Sequence, residues 1–472
     1  MNRLRVPHTA WLASTLVPLV LFSSSELAAQ QSGPPPQSAE TEDDAGPYRL
    51  NDAWDLPEWL RIGGSVRLRY EGIEGQFRAN PRFASSDHVG FIRTNILTEV
   101  DVDEVTFGVE VLDSRHVGGG SRSFLSTANV NTVDFLQGYV DVTLDDEGRH
   151  EIRAGRQTLD LGSRRLVARN RFRNTINSFT GVDYNYDDGE GTEAHVFWFL
   201  PVRRRPTDFP SILDNDVELD DQDFDQSFFG GHFRTEIDDD THAEVYGFVL
   251  LEDGGGRRER ELFTPGARVK KKARTSEFDW EIEGAAQLGD SEATPTSPEL
   301  RHVAWFGHAS AGYTFDCDWK PRVRVAIDAA SGDRNPNDGE NNRFETLFGA
   351  RRFEYGPTGI FGLIARSNLV SPEIRIEARP TDDLSAFFAY RVAWLQSESD
   401  AAPAGGVRDP SGATGNFLGQ QIEARLRYEL IPKSVRLEMG AAYVFAGDVL
   451  DDAPNARRED IAYAYFQTAW TF

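Results

Sequence analysis

From Arg61 to Glu71 the chain reads RIGGSVRLRYE, so Ile62, Val66, Leu68 and Tyr70 share one parity and Ser65, Arg67, Arg69 and Glu71 share the other. A two-residue period of this kind predicts a strand with one oily and one charged face. The period returns at 104–112, where Val105, Phe107, Val109 and Val111 oppose Thr106 and Glu110, and at 277–286, where Phe278, Trp280 and Ile282 oppose Asp279, Glu281 and Glu283. Late in the chain, Ile422, Ala424, Leu426 and Tyr428 oppose Glu423, Arg425 and Arg427. Segments of this type fall at roughly 61–71, 90–101, 104–112, 134–144, 150–158, 180–187, 192–200, 227–237, 241–251, 262–270, 275–288, 302–315, 321–330, 368–379, 384–395, 418–430, 434–446 and 461–472, about eighteen in all, each near the ~10 residues a tilted strand needs to cross a bilayer.

The connections carry a second signal. Short turns, such as Asp101–Asp103, Asp238–Asp240 and Pro380–Asp383, alternate with long loops at 201–226, 331–367 and 396–417. That asymmetry predicts an all-β, transmembrane antiparallel β-barrel with short periplasmic turns and long outer loops; an even strand count places both termini in the periplasm. The closing stretch AYAYFQTAWTF sets Phe466, Trp470 and Phe472 on one parity, the aromatic-ended last strand expected of a barrel closed by barrel-assembly machinery. A soluble β-solenoid or sandwich, the alternative, accounts for neither feature.

The start of the chain sets the boundaries. Arg3 and Arg5 precede an apolar run from Ala10 to Phe22, and small residues follow to Ala28 and Ala29, the layout of a secretory signal peptide over 1–29. Residues 30–58 begin QQSGPPPQSAETEDDAGP, too polar and Pro-rich to bury a core, and read as a disordered periplasmic leader before a barrel over 59–472. No later segment offers 18 uninterrupted apolar residues, so helical insertion is excluded for the mature chain. A lone Cys317 excludes an intramolecular disulfide framework and a Cys-based zinc site.

Charge changes the picture most. The formal net charge is -26, yet lysine occurs only at Lys270, Lys271, Lys272, Lys320 and Lys433, so nearly all of the 50 basic residues are arginine, a fixed, planar, always-charged donor. On the lumen parity Arg67, Arg69, Arg93, Arg375, Arg391, Arg425 and Arg427 stand among Glu71, Glu99, Glu377, Glu423 and Glu438. Pairing across adjacent strands would rigidify the wall, whereas arginines left pointing at a solute would select anions. The stretch GRQTLDLGSRRLVARNRFRN at 155–174 differs, since it gathers Arg156, Arg164, Arg165, Arg169, Arg171 and Arg173 with no acid between Asp160 and Asp183. The expectation is that the loop 159–179 folds into the barrel, buries Leu166 and Phe172, and carries Arg165, Arg169, Arg171 and Arg173 to a constriction. Lipopolysaccharide phosphates bound at the outer rim are the alternative use for these arginines.

Other chemistry finds less support. His308 with Ser310 is a close His/Ser pair, but nothing in sequence supplies the orienting group and oxyanion donors of a hydrolase, so no enzyme activity is expected. Asp333, Asn335, Asn337 and Asp338 resemble a calcium loop with an extra residue before Gly339; a solvated acidic turn is the expected account, with a loop-rigidifying calcium as the alternative and no other cofactor. No Gly-rich phosphate cradle follows a strand, and the charge balance gives no support to nucleic-acid binding.

With these pieces in hand, the chain resembles the alginate-export family of outer-membrane porins. The resemblance rests on GRQTLDLGSRRLVARNRFRNTINSFTGVDY at 155–184, SGDRNPNDGENNRFETLF at 331–348, Ser367–Leu369, and the strand pattern over most of 61–472; Thr180 departs from the family's usual Asp. It implies an eighteen-stranded barrel with an arginine-rich, loop-narrowed lumen, and export or diffusion of an anionic solute such as an acidic polysaccharide. The expected setting is the outer membrane of a Gram-negative-type bacterium, with a monomer among lipid and lipopolysaccharide. The alternative is a structural or adhesive barrel acting through its surface loops.

Overall fold

The computed structural model describes residues 49–253 and 257–472. The expected signal peptide over 1–29 lies outside the described residues, as does the leader up to residue 48. The remainder of the leader carries a one-turn helix, α1 (Leu50–Ala53), whose Asn51 side chain bonds the main chain at Leu60 and Ile62.

The strands are β1 (Leu60–Glu74), β2 (Ser86–Val102), β3 (Val105–Val117), β4 (Asn131–Thr143), β5 (His150–Gln157), β6 (Phe179–Asp187), β7 (Glu193–Pro201), β8 (Gln226–Asp238), β9 (Thr241–Glu252), β10 (Arg260–Lys271), β11 (Phe278–Glu292), β12 (Glu299–Thr314), β13 (Arg322–Ala330), β14 (Glu340–Asn341), β15 (Leu369–Thr381), β16 (Leu384–Trp394), β17 (Phe417–Ile431), β18 (Val435–Ala446) and β19 (Ile461–Thr471). Apart from β14, a two-residue piece lying parallel to β12, each strand pairs antiparallel with its neighbours in the chain, β13 passing directly to β15. Pairing of β1 with β19, from Ser65 opposite Thr471 to Glu74 opposite Ala462, closes the sheet into an eighteen-stranded barrel. Closure leaves no open edge, the condition for a sheet to cross hydrocarbon.

Burial is inverted relative to a water-soluble protein. Leu68, Phe107, Ile282, Trp305, Ile374, Ile376 and Leu426 are exposed, while Arg67, Arg69, Glu110, Glu283, Arg375 and Arg391 are buried. The alternation therefore points its oily face outward, toward lipid, and its charged face inward. Connections alternate as well: 103–104, 239–240 and 382–383 are tight turns at one end, whereas 158–178, 202–225, 331–368 and 395–416 are long loops at the other.

Part of the inward parity is not charged. Near the loop end the inward positions become aromatic and aliphatic. Phe179, Phe197, Phe199, Phe228, Phe248, Leu250 and Phe306 are buried together with Leu159, Leu161, Leu166 and Val167 from the loop 158–178. On the other side Ile73, Phe91, Tyr463 and Tyr465 pack with Phe172, Ile360 and Phe361. These residues share the parity of the charged wall because they meet loops, not water. The apolar core of the molecule thus sits inside the barrel, where loops are docked onto the wall.

Candidate functional site

The loop 158–178 lies within the barrel for the reason its composition suggests: Leu159, Leu161, Leu166, Val167, Ala168 and Ile176 are buried and would otherwise face water. Asn174 ties it to the wall, since its Nδ2 donates to the carbonyls of Ile92, Arg115 and Asn129, at 3.2, 3.1 and 2.8 Å. Ser114 Oγ donates to the Asn174 carbonyl at 2.6 Å. Gly162 passes so close to the wall that a Cβ there would stand 2.5 Å from Glu244 Oε2, with φ at +48°. A second loop, 331–368, knits to the first. The Phe348 amide donates to the Leu166 carbonyl at 2.9 Å, Ala350 donates to Arg164 at 2.9 Å, and Val167 bridges Phe348.

The arginines singled out from sequence separate into three environments. In the first, carboxylates neutralise them. Arg165 pairs with Glu281 at 2.5 Å, with Glu354 at 2.5 Å and with Glu283. Arg391 pairs with Glu373 at 2.7 Å and Asp328 at 3.3 Å, Arg375 with Glu373 at 3.1 Å, Arg427 with Glu438 at 2.7 Å, and Arg156 with Asp134 at 3.5 Å. Arg165 therefore stands apart from the constriction expected for it, because three wall and loop carboxylates distant in sequence converge on its guanidinium and bury it. In the second environment Arg67 and Arg93 hold only neutral acceptors, chiefly the carbonyls of Arg171 and Arg173. Arg69 shares the Phe172 carbonyl at 2.6 Å, but also bonds Glu71.

The third environment is the one short of negative charge. Arg169 comes no nearer than 4.0 Å to Glu110, Arg171 is exposed, Arg173 has no carboxylate partner among the described residues, and Arg425 stacks over Phe387 at 4.7 Å. Two arginines that sequence reasoning missed belong here. Arg204 donates to Asn177 Oδ1 at 2.6 Å, and Arg351 enters with the second loop. The run Arg203–Arg205 offered a local signal for Arg204, but Arg351 had none, because the partner of its neighbour Arg352 lies far along the chain. In each basic run the adjacent members are paired, Arg203 and Arg205 with Asp221 at 2.9 Å, and Arg352 with Glu438. Arg204, between the paired Arg203 and Arg205, lines the cavity, and Arg351 enters it from just before a one-turn helix over Arg352–Tyr355.

Arg173, Arg204 and Arg351 line a cavity of about 420 Å³ with Asn170, Asn177 and Glu345 between the two inward loops. Burial, followed by the neighbouring Arg204 and Arg351, pushes Arg173 down to about 9. Burial and Arg366 push Arg351 down to about 10, burial lowers Arg204, and burial with Arg171 takes Arg169 to about 10. Each shift has the sign of buried positive charge without enough negative charge nearby. An entering anion would supply the negative charge that the protein does not.

The other candidate residues make contacts of their own. His308 bonds Asp328 at 2.8 Å beside Glu354, the described His/carboxylate group compact enough for a metal ion, but Arg391 already holds Asp328 and Arg165 and Arg366 hold Glu354. Asp333, Asn335 and Asp338 each accept a hydrogen bond from the amide two residues on, so these side chains shape their own turns.

A family model described as alginate export matches residues 58–464. The chain belongs to that family. Nothing matches among curated proteins. Among solved structures, a BenF-like porin from Pseudomonas fluorescens Pf-5 aligns with TM-score 0.58 at 12% identity, covering 88% of this chain and 99% of that one. OccAB1 of Acinetobacter baumannii aligns with TM-score 0.58 at 14% identity over 92% and 99%, and OpdK of Pseudomonas aeruginosa, solved with vanillate, with TM-score 0.57 at 10% over 87% and 98%. At such identities the likeness is one of fold. This member of the alginate-export family shares the β-barrel fold of these porins.

Proposed function

We propose that the barrel passes an anionic solute, an acidic polysaccharide or shorter carboxylated sugar, along the passage beside the two inward loops. The observation that carries this reading is the division of labour among the arginines. Those on the wall, Arg425 excepted, are spent on carboxylates or carbonyls, while Arg171, Arg173, Arg204 and Arg351 face the remaining space without carboxylate partners among the described residues. Guanidinium groups match carboxylates with two parallel hydrogen bonds, and their field reaches only about 8 Å at physiological salt, so they act on a solute confined to a narrow route. The vanillate that accompanies OpdK is likewise a carboxylate. In this reading the short turns and both termini face the periplasm, the long loops face outward, and a single chain forms the channel.

The test is block of ionic current in a planar bilayer. An oligouronate is expected to interrupt the current at concentrations where a neutral glucan of equal length has no effect. Equal block by the two sugars would contradict the reading, and no current at all would favour an adhesive or structural barrel.

A further inference from the structure

Arg67 and Arg93 are unlike the other buried arginines of the wall. They sit directly opposite one another in the β1–β2 register, where two like charges repel. No carboxylate bonds either guanidinium among the described residues. What they hold is main chain. Arg67 Nη1 donates to the carbonyls of Arg171 at 2.9 Å and Phe172 at 3.3 Å, and its Nη2 donates to Arg173 at 2.9 Å and to Asn174 Oδ1 at 3.1 Å. Arg93 Nη1 donates to the Arg171 carbonyl at 2.9 Å and the Arg173 carbonyl at 3.2 Å.

We infer that Arg67 and Arg93 are positioning residues: a two-arginine clamp on the carbonyls of 171–173 that aims Arg171 and Arg173 into the passage and sets its width. The direction follows from alternation along the clamped segment. Phe172 turns back to the wall, with Arg69 over its ring at 3.9 Å and Tyr465 edge-on at 5.1 Å. Its neighbours on the opposite parity then point away from the wall, Arg173 into the cavity and Arg171 into the open. The forked, five-donor guanidinium suits this task, because one side chain grips several carbonyls at once. A lysine ammonium carries the same charge on a compact head and cannot span them.

The clamp rests on the channel reading but is tested separately from it. The double variant Arg67→Ser/Arg93→Ser is expected to raise single-channel conductance and weaken anion preference, because the loop leaves its seat. Arg67→Lys/Arg93→Lys keeps both charges and is expected to behave like the Ser variant. Wild-type conductance in the Ser variant, or wild-type conductance and selectivity in the Lys variant, would overturn the clamp; the second result would show that these residues act by charge alone. Heat-modifiable gel migration reports assembly, and if the Ser pair does not assemble, the Lys pair decides. Should the wild type show no anion preference, the function proposed above fails, while the conductance comparison still tests the clamp.

Discussion

Arg165 and Arg173 lie eight positions apart in one basic run, and the structure gives them opposite roles. Arg165 is held by Glu281, Glu283 and Glu354, whereas Arg173 is half-buried beside Arg204 and Arg351. The scarcity of acids between Asp160 and Asp183 was legible in sequence, but the partners of Arg165 come from a distant strand and loop, so counting local charge could not separate the two. Stability should separate them. Arg165→Met takes the shared guanidinium from three buried carboxylates, leaving Arg366 on Glu354 and Arg268 on Glu281 and Glu283, and is expected to cost about 3–5 kcal/mol, seen as a lower unfolding temperature in detergent. Arg173→Ser removes a charge that its surroundings disfavour and should leave that temperature unchanged or raised. A fall comparable to that of Arg165→Met would mean that Arg173 has a structural partner. Acid acts on the same cluster. Burial raises the Glu354 carboxyl, but Arg165 and Arg366 outweigh it and hold the group below the usual carboxylate range. Its contribution is present at neutral pH and is lost only as pH falls through that depressed value. The loop joint is therefore expected to resist pepsin, which is active in acid, down to pH values where ordinary glutamates are already protonated.

Strands were the most legible elements, because one oily face against one charged face recurs with period two. Their ends were less so; β11 starts at Phe278 and runs on to Glu292, beyond the residues where alternation is clear. The inward aromatic band was not legible, since Phe197, Phe199 and Phe228 look like any lipid-facing residues until the loop that covers them is known. The two faces should respond differently to charge. Ile374→Arg, on the outward face, is expected to cost about 2–4 kcal/mol near the bilayer midplane, measured as reduced folding into vesicles, whereas Arg375→Gln on the inward face should still insert. Equal impairment would put the register in doubt. The joint between the inward loops makes a further element-scale prediction. A Cβ on Gly349 would lie 1.7 Å from the Arg165 carbonyl oxygen. Gly349→Val is therefore expected to part the loops and open 331–368 to protease while the barrel stays heat-modifiable; an unchanged digestion pattern would contradict that.

At the scale of the whole molecule, a chain of net charge -26 encloses arginines that its own carboxylates do not neutralise. Acids are concentrated in runs such as Asp214–Asp225, where they are matched to Arg203, Arg205 and Arg257, and on the wall beneath the loops. The loops 158–178, 202–225 and 331–368 carry most of the unmatched positive charge to the passage. The most direct measurement of this account is the reversal potential across a planar bilayer in a salt gradient, for the wild type and for Arg173→Ser/Arg204→Ser/Arg351→Ser. The account predicts an anion-selective potential for the wild type that moves toward zero or changes sign in the triple variant, with folding retained. A wild-type potential that is nonselective or cation-selective, or a triple variant indistinguishable from wild type, would contradict it.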